Sequence, residues 1–272
     1  MIYAIALLLF LFSCSSENDR ASGQQKSAEH LITRRAGEAL FLPPPPEPEA
    51  FPQYPWEKRG SCDLPWITKE YFRCKGNPFN PPRSEAKGGE TLEIADCGGS
   101  EKHSLPLIDG KEGVYPILID LLNYLQERAK KRVVITSAHR CPDHNTYVNS
   151  APSNQTSKHL IAAEVSFYVQ GYEEMPESIV RMIQDYYQTD SQVKDDRRYT
   201  VFTRYEKEDT NVSTPPWMNQ EIFIKLFKKD EGRDFDNRHP YPYLSIQVRY
   251  DREKKARVFY SWDKAYNNFL RY

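Results

Sequence analysis

The stretch SKHLIAAEVSFYV, residues 157–169, decides how this chain is interpreted, because it joins a histidine to a segment with the pattern of a strand. His159 follows Ser157 by two positions. Polar and apolar side chains then alternate from Glu164 to Phe167, which is typical of a strand that turns one face to the core. His159 is the only obvious metal ligand in the stretch, so the pattern raises the question of a metal site.

A second stretch, TSAHRCPDHN, lies at residues 136–145. It continues a β-branched run that predicts a buried strand over residues 132–140. Residues 141–156 predict a helical turn followed by a polar loop, which leads back to Ser157. Arg140 and Asn145 are therefore expected where a strand runs into a helix.

In this order the two stretches resemble the zinc D-Ala-D-Ala carboxypeptidase family, the peptidoglycan peptidases that share a fold with the hedgehog signalling domain. The resemblance covers roughly residues 105–262. It implies an α+β fold of the hedgehog/DD-peptidase type, with a mainly antiparallel sheet and flanking helices. It also implies that His159 is a zinc ligand and that the peptide substrate is bound by Arg140, Asn145 and Ser157. An arginine suits this task because its planar fork pairs with a terminal carboxylate.

The remainder of the family's zinc site is missing from the sequence. Ser166 stands where the family has its ligand aspartate, and Gln247, in YLSIQVRYD (243–251), takes the place of the last histidine. Leu244 lies where some relatives carry the catalytic glutamate. A catalytic zinc needs three protein ligands and one open position for water. We therefore expect no zinc cofactor, unless the chain is active.

Two more positions differ from the family pattern, since Ala162 replaces a glycine and Glu164 replaces an alanine. Two interpretations of the altered site stay open. One is an ion pair between Glu164 and Arg140 in the old cleft. The other is a shifted metal site built from His144, His159, Glu164 and His239.

The first residues of the chain, MIYAIALLLFLFSC (1–14), resemble a bacterial lipoprotein signal peptide. The apolar run has about a dozen residues, which is too short to cross a bilayer. It ends at Cys14, the position that carries the lipid in lipoproteins. Residues 15–60 include PPPPEPEAFPQYP and predict a disordered, Pro-rich tether. We expect an exported protein, anchored by lipid in the bacterial cell envelope, in the periplasm or at the outer-membrane surface.

The body of the protein, residues 61–272, is expected to begin with an irregular N-terminal lobe over residues 61–104. Four cysteines follow Cys14. An even number in an exported chain favours disulfides over a thiolate metal site, and no CxxC pair is present. Four cysteines allow three pairings, and we expect Cys62–Cys74 and Cys97–Cys141.

Hydrophobic periodicity predicts the other elements of the body. Helices are expected over 114–131 and 176–188. Strands are expected over 161–169, 198–205, 221–229, 243–251 and 256–262, the last two as a hairpin.

Three functions are compatible with these patterns. The first is a module that binds peptidoglycan stem peptides, and the second is an active zinc D,D- or L,D-carboxypeptidase with an altered ligand set. The third is a surface lipoprotein whose cleft is idle. The double loss at Ser166 and Gln247 favours a pseudoenzyme. The net charge of −1 provides no general attraction for nucleic acid, so the expected partners are peptidoglycan peptides and, through the lipid anchor, the membrane.

Overall fold

The computed structural model describes residues 63–190, 192–207 and 209–272. The predicted signal peptide with Cys14, the tether over 15–60, and Cys62 lie outside the described residues. No helix in the described ranges combines the length and the apolar character that crossing a membrane requires.

The N-terminal lobe is more regular than the sequence predicts. After a short 3-10 helix, Lys69–Phe72, strands β1 (Arg83–Lys87) and β2 (Glu90–Ile94) form an antiparallel hairpin. Gly88 and Gly89 form its turn with φ angles of +63° and +89°. Two successive residues with positive φ fit the tight turns that connect hairpin strands, and glycine is the residue that adopts them without strain.

Short strands β3 (Leu107–Ile108) and β4 (Lys111–Glu112) then lead into the main part of the domain. Its centre is a six-stranded sheet in which every neighbouring pair runs antiparallel, in the order β5-β6-β10-β9-β8-β7. The strands are β5 (Val133–Ser137), β6 (Glu164–Val169), β7 (Thr203–Arg204), β8 (Trp217–Met218), β9 (Ile222–Phe227) and β10 (Tyr243–Val248).

Two long helices, α1 (Pro116–Ala129) and α3 (Pro176–Thr189), pack against each other and against one face of this sheet. Each begins with a proline, which suits the first helical turn because no hydrogen-bonded amide is lost there. Both helices confirm the predictions for 114–131 and 176–188, and the antiparallel sheet beside them confirms the α+β class. The shorter helices are α2 (Pro142–Val148), α4 (Arg197–Thr200) and α5 (Trp262–Tyr266).

Side chains alternate between the two faces of the sheet. The face toward α1 and α3 is apolar and belongs to one large core cluster, which includes Val165, Phe167, Ile224, Leu226, Leu244 and Ile246. The alternate positions of the same strands are mostly polar, and they include Glu164, Ser166, Lys225, Ser245 and Gln247. The polar face is where the candidate site lies.

Two predicted strands are wrong over most of their length. Residues 197–200 form helix α4, because the Asp196 side chain accepts a hydrogen bond from the Arg198 amide (2.9 Å) and caps the helix. Only Thr203–Arg204 of the predicted strand 198–205 is a strand. Likewise the hairpin partner 256–262 shortens to β12 (Ala256–Arg257), paired with β11 (Tyr250–Asp251), and Ser261 then caps α5.

A buried carboxylate at the start of β9 ties the sheet to α3 and to the turn between β11 and β12. Glu221 is 1% exposed. Arg252 donates to both of its oxygens at 2.9 Å, and the Tyr187 hydroxyl donates at 3.0 Å. The three side chains satisfy a charge that would be costly to bury alone.

We predict that Arg252→Met lowers the free energy of unfolding by about 2–4 kcal/mol, because it leaves the Glu221 carboxylate buried without its cation. Urea-induced unfolding followed by circular dichroism measures this change. The control is Arg198→Met, which removes an exposed ion pair with Asp196 and should leave the midpoint unchanged. Equal effects of the two substitutions would contradict the role of Arg252.

Candidate functional site

A cleft of about 560 Å³ opens on the polar face of the sheet. We call it the His159 cleft. His159, Ser166 and Gln247, the three positions that the resemblance would align with zinc ligands, all line it. Arg140 and Ser157 line it as well. The structure thus brings together residues that are up to 107 positions apart in the sequence, from 140 to 247.

His159 is held by a short 3-10 helix, Lys158–Ile161, that begins immediately after Ser157. The Ser157 hydroxyl accepts a hydrogen bond from the His159 amide at 3.3 Å and so caps this helix. The imidazole Nδ1–H donates to the Ala138 carbonyl at 2.6 Å. This bond fixes the ring orientation and leaves Nε2 facing Ser166, with 3.5 Å between Nε2 and Oγ. Burial lowers the pKa of His159, so the ring is neutral at pH 7.

The residue that ends this helix adopts a backbone conformation that favours glycine. Ala162 has a φ of +50°. Only glycine adopts this left-handed region without a steric penalty from its side chain. Ala162 therefore occupies this conformation at a steric cost, and the glycine expected from the resemblance would not.

Glu164 lines the cleft from the first position of β6. Its Oε1 accepts hydrogen bonds from the Ser245 hydroxyl (2.5 Å) and the Gln247 amide (3.0 Å), and lies 3.8 Å from His159 Nε2. Burial alone would raise the pKa of Glu164. His159 in its protonated form, Lys225 and the two hydrogen bonds outweigh burial, so the pKa of Glu164 is lowered and its side chain is an anion at pH 7.

The shifted metal site considered from the sequence is not formed in the described part of the chain. His159 and Glu164 are close, but His144 hydrogen-bonds to Asp96 (2.6 Å) and Asp236 (3.2 Å) instead. The His239 ring packs against Tyr168 and Tyr241. Among the described residues, no third His, Cys, Asp or Glu side chain joins His159 and Glu164 within ligand distance of one another.

Arg140 borders the cleft, but its guanidinium is already paired. Nη2 donates to Asp234 at 2.8 Å, and Nε donates to Asp236 at 2.9 Å and to Ser137 at 2.7 Å. Burial alone would lower the pKa of Arg140, and the two aspartates raise it above its usual value. The ion pair expected between Arg140 and Glu164 is not formed. A peptide carboxylate would have to compete with Asp234 for this arginine.

Two predicted site residues do not face the cleft. Leu244 belongs to the apolar core, because it points to the opposite face of β10 from Ser245. Asn145 is buried, and its amide donates to the Asn154 carbonyl at 3.0 Å, while Asn154 donates back to the Asn145 carbonyl. Asn145 therefore holds the loop after α2 rather than a ligand.

Several cleft residues were missed from the sequence. Lys225 and Ser245 flank Glu164 from β9 and β10, and Asp234 and Asp236 neutralise Arg140. The period-two alternation of YLSIQV does place Ser245 on the same face as Gln247, so this residue could have been found. The aspartates carry no such signal, because they lie in a loop about 95 residues from Arg140.

The cysteines are arranged differently from the prediction. Cys74, Cys97 and Cys141 are buried free thiols that converge with His103. The expected Cys97–Cys141 disulfide is not formed. Cys97 Sγ instead lies 3.8 Å from Cys74 Sγ and 3.7 Å from His103 Nε2. Cys62 lies outside the described residues, so its pairing with Cys74 stays a prediction. We call the four converging residues the Cys3His cluster.

Comparisons with protein-family models, with curated proteins and with solved structures find no match to this chain.

We predict that Ala162→Gly and Ala163→Gly differ in their effect on stability by about 1–2 kcal/mol. Both substitutions remove a buried methyl group from adjacent positions. Only Ala162→Gly also relieves the left-handed backbone strain, so it should be the less destabilising of the two. Thermal and urea unfolding of both variants measure the difference. Equal destabilisation would contradict the strained conformation at Ala162.

Proposed function

We propose that this chain is a non-catalytic relative of the zinc D-Ala-D-Ala carboxypeptidases, with a hedgehog/DD-peptidase-like fold, and that it binds peptidoglycan stem peptides in the His159 cleft. The observation that carries the proposal is the convergence of His159, Ser166 and Gln247 on one cleft. Convergence supports the alignment with the family's zinc site, in which only the histidine remains.

The chemistry of the cleft supports binding rather than hydrolysis. Metallopeptidases use zinc to lower the pKa of a bound water and to polarise the carbonyl that is attacked. A serine hydroxyl and a glutamine amide are poor zinc ligands, and here Gln247 donates its amide hydrogens to Glu164. The amide is thus engaged as a donor next to the carboxylate. The Glu164 carboxylate is held by hydrogen bonds from Ser245 and Gln247 and not by a metal ion.

The remaining groups suit a peptide. Glu164 presents an anion that can accept from peptide N–H groups or an amine. Lys225, whose ammonium donates to Asn211, lines the same cleft from β9 as a cation for a carbonyl or carboxylate oxygen. The cavity volume lies within the range of about 300–1,000 Å³ that is usual for small-ligand sites. Arg140 contributes mainly by holding Asp234 and Asp236 at the edge of the cleft.

The proposed cellular setting rests on the N-terminal sequence. A lipid on Cys14 and a Pro-rich tether over residues 15–60 would hold the domain at a distance from the membrane, within reach of the cell wall. The chain would then act in the bacterial cell envelope, where stem peptides are present.

We predict that the purified protein binds a synthetic stem pentapeptide that ends in D-Ala-D-Ala, and that Lys225→Met and Glu164→Gln each weaken binding at least about tenfold. Both substitutions preserve the shape of the side chain while removing its charge. Isothermal titration calorimetry measures the affinity, with Lys111→Met and Glu174→Gln, both exposed and outside the cleft lining, as matched controls. Absence of binding by the parent, or release of D-alanine from the peptide, would overturn the proposal.

A second prediction tests the resemblance itself. The triple variant Ser166→Asp, Gln247→His and Glu164→Ala restores the family pattern around His159, so it should bind one more zinc per chain than the parent. Plasma emission spectrometry after dialysis against zinc counts the metal. Adding His159→Ala should abolish the gain. A triple variant that folds and gains no zinc would show that positions 159, 166 and 247 do not correspond to the family's zinc ligands.

A further inference from the structure

The Cys3His cluster lies apart from the residues that line the His159 cleft, and its ligand atoms have the spacing of a tetrahedral metal site. The Sγ atoms of Cys74, Cys97 and Cys141 and a ring nitrogen of His103 all lie within 4.8 Å of one another. A zinc ion with sulfur ligands at 2.3 Å places two of them about 3.8 Å apart, and a sulfur and a nitrogen ligand about 3.6 Å apart. The distances from Cys97 Sγ are 3.8 Å to Cys74 and 3.7 Å to His103.

The groups around the cluster orient its ligands in the way that metal sites require. His103 Nδ1 is 3.3 Å from the Ser104 carbonyl, so Nδ1 carries the hydrogen and the Nε2 lone pair points to the sulfurs. Backbone amides donate to two of the sulfurs, from Gly99 to Cys97 (3.3 Å) and from His144 to Cys141 (3.4 Å). Such donors stabilise negative charge on sulfur.

The backbone also approaches the cluster closely. A Cβ atom on Gly76 would lie 2.0 Å from Cys97 Sγ. Only a glycine therefore fits at this position, two residues after Cys74. The chain is packed around the sulfurs without room for a larger side chain.

All four ligands are buried, each no more than 7% exposed. With three thiolates and one imidazole, the coordination shell of a tetrahedral ion is complete. No ligand position is left for water or substrate, which is the property that separates structural from catalytic zinc sites. Soft thiolates with one imidazole in this geometry favour zinc over magnesium or calcium, which prefer oxygen.

We propose that Cys74, Cys97, His103 and Cys141 bind one structural zinc ion. The ion would join segments that have little other apolar packing between them. Around the cluster, the buried apolar group consists only of the three cysteines and Phe269 among the described residues. Three ligands, Cys74, Cys97 and His103, come from separate parts of the N-terminal lobe, and Cys141 comes from the N-cap of α2. Next to His103, an isolated bridge to Arg271 brings in the end of the chain.

The site also positions one edge of the His159 cleft. Cys141 follows Arg140 directly and is the N-cap of α2. Fixing its sulfur fixes the strand-to-helix turn that carries Arg140 and, through His144, the Asp236 side chain. Zinc at the cluster would therefore support the geometry of the cleft without requiring a metal ion in the cleft itself.

We predict that protein purified without chelators contains about one zinc per chain, with X-ray absorption showing three sulfur ligands near 2.3 Å and one nitrogen near 2.0 Å. Replacement by cobalt should give the absorption of a cobalt–thiolate complex. Removing the metal with a chelator under reducing conditions should lower the Tm by at least about 10 °C, and adding zinc should restore it.

Variants separate this site from the cleft. His103→Gln and Cys141→Ser should lose the zinc, His103→Cys should retain it with four sulfur ligands, and His159→Ala should retain it unchanged. His239→Gln is the matched control for replacing a histidine elsewhere in the domain. If the ligand variants fail to fold, X-ray absorption and cobalt absorption spectra of the wild-type protein still test the proposal.

Mass spectrometry of the unreduced protein detects any disulfide that would contradict the proposal. A disulfide that includes Cys74, Cys97 or Cys141 would overturn the proposal, because it would remove a ligand. Metal-free protein of unchanged stability would overturn it as well. Zinc that leaves with His159→Ala, and not with His103→Gln, would place the metal in the cleft and contradict the proposed function.

Discussion

The hydrogen bonds that Ser245 and Gln247 donate to Glu164 depend on a single register between β6 and β10. In that register Ser166 faces Ser245 and Glu164 faces Gln247, while the residues between them enter the core. A slip of β6 by one residue would turn the Glu164 carboxylate into the apolar core and Val165 out to the cleft, so the core and the cleft are fixed by the same pairing. The buried anion adds to this specificity, since its charge is satisfied only when both donors arrive from β10.

The parts of the fold that follow from local patterns could be predicted from the sequence. Apolar residues recur at helical spacing in α1 and α3. In the strands of the sheet, apolar and polar residues alternate or β-branched residues follow one another. The wrongly predicted segments are those in which one helix-capping side chain overrides the strand propensity of the residues after it, as Asp196 does before α4. The pairing of Arg140 with Asp234 and Asp236 and the meeting of Cys74, Cys97 and Cys141 arise from contacts between distant segments. Periodicity contains no information about these contacts.

The cleft and the Cys3His cluster are linked by the short segment that connects β5 to α2. Within it, Ala138 orients His159 through its carbonyl, Arg140 borders the cleft, and Cys141 belongs to the cluster. His139 lies between the two regions, with its ring centroid 6.0 Å from that of His103. Burial lowers the pKa of His139 to about 3, so a neutral ring separates them. A change in the geometry of the Cys3His cluster would therefore shift the edge of the His159 cleft through residues 138–141.

The two sites change what a metal measurement on this chain would mean. For a chain whose sequence only resembles catalytic zinc peptidases, one zinc ion per chain could be taken as a sign of activity. Here the cleft offers one histidine and one carboxylate, whereas the cluster offers four buried ligands in tetrahedral spacing. Total zinc therefore reports on the stability of the N-terminal lobe and not on hydrolysis. The proposed export would strengthen this distinction, because unprotected thiols in an oxidising compartment form disulfides, while thiolates bound to zinc in a buried site are shielded from exchange.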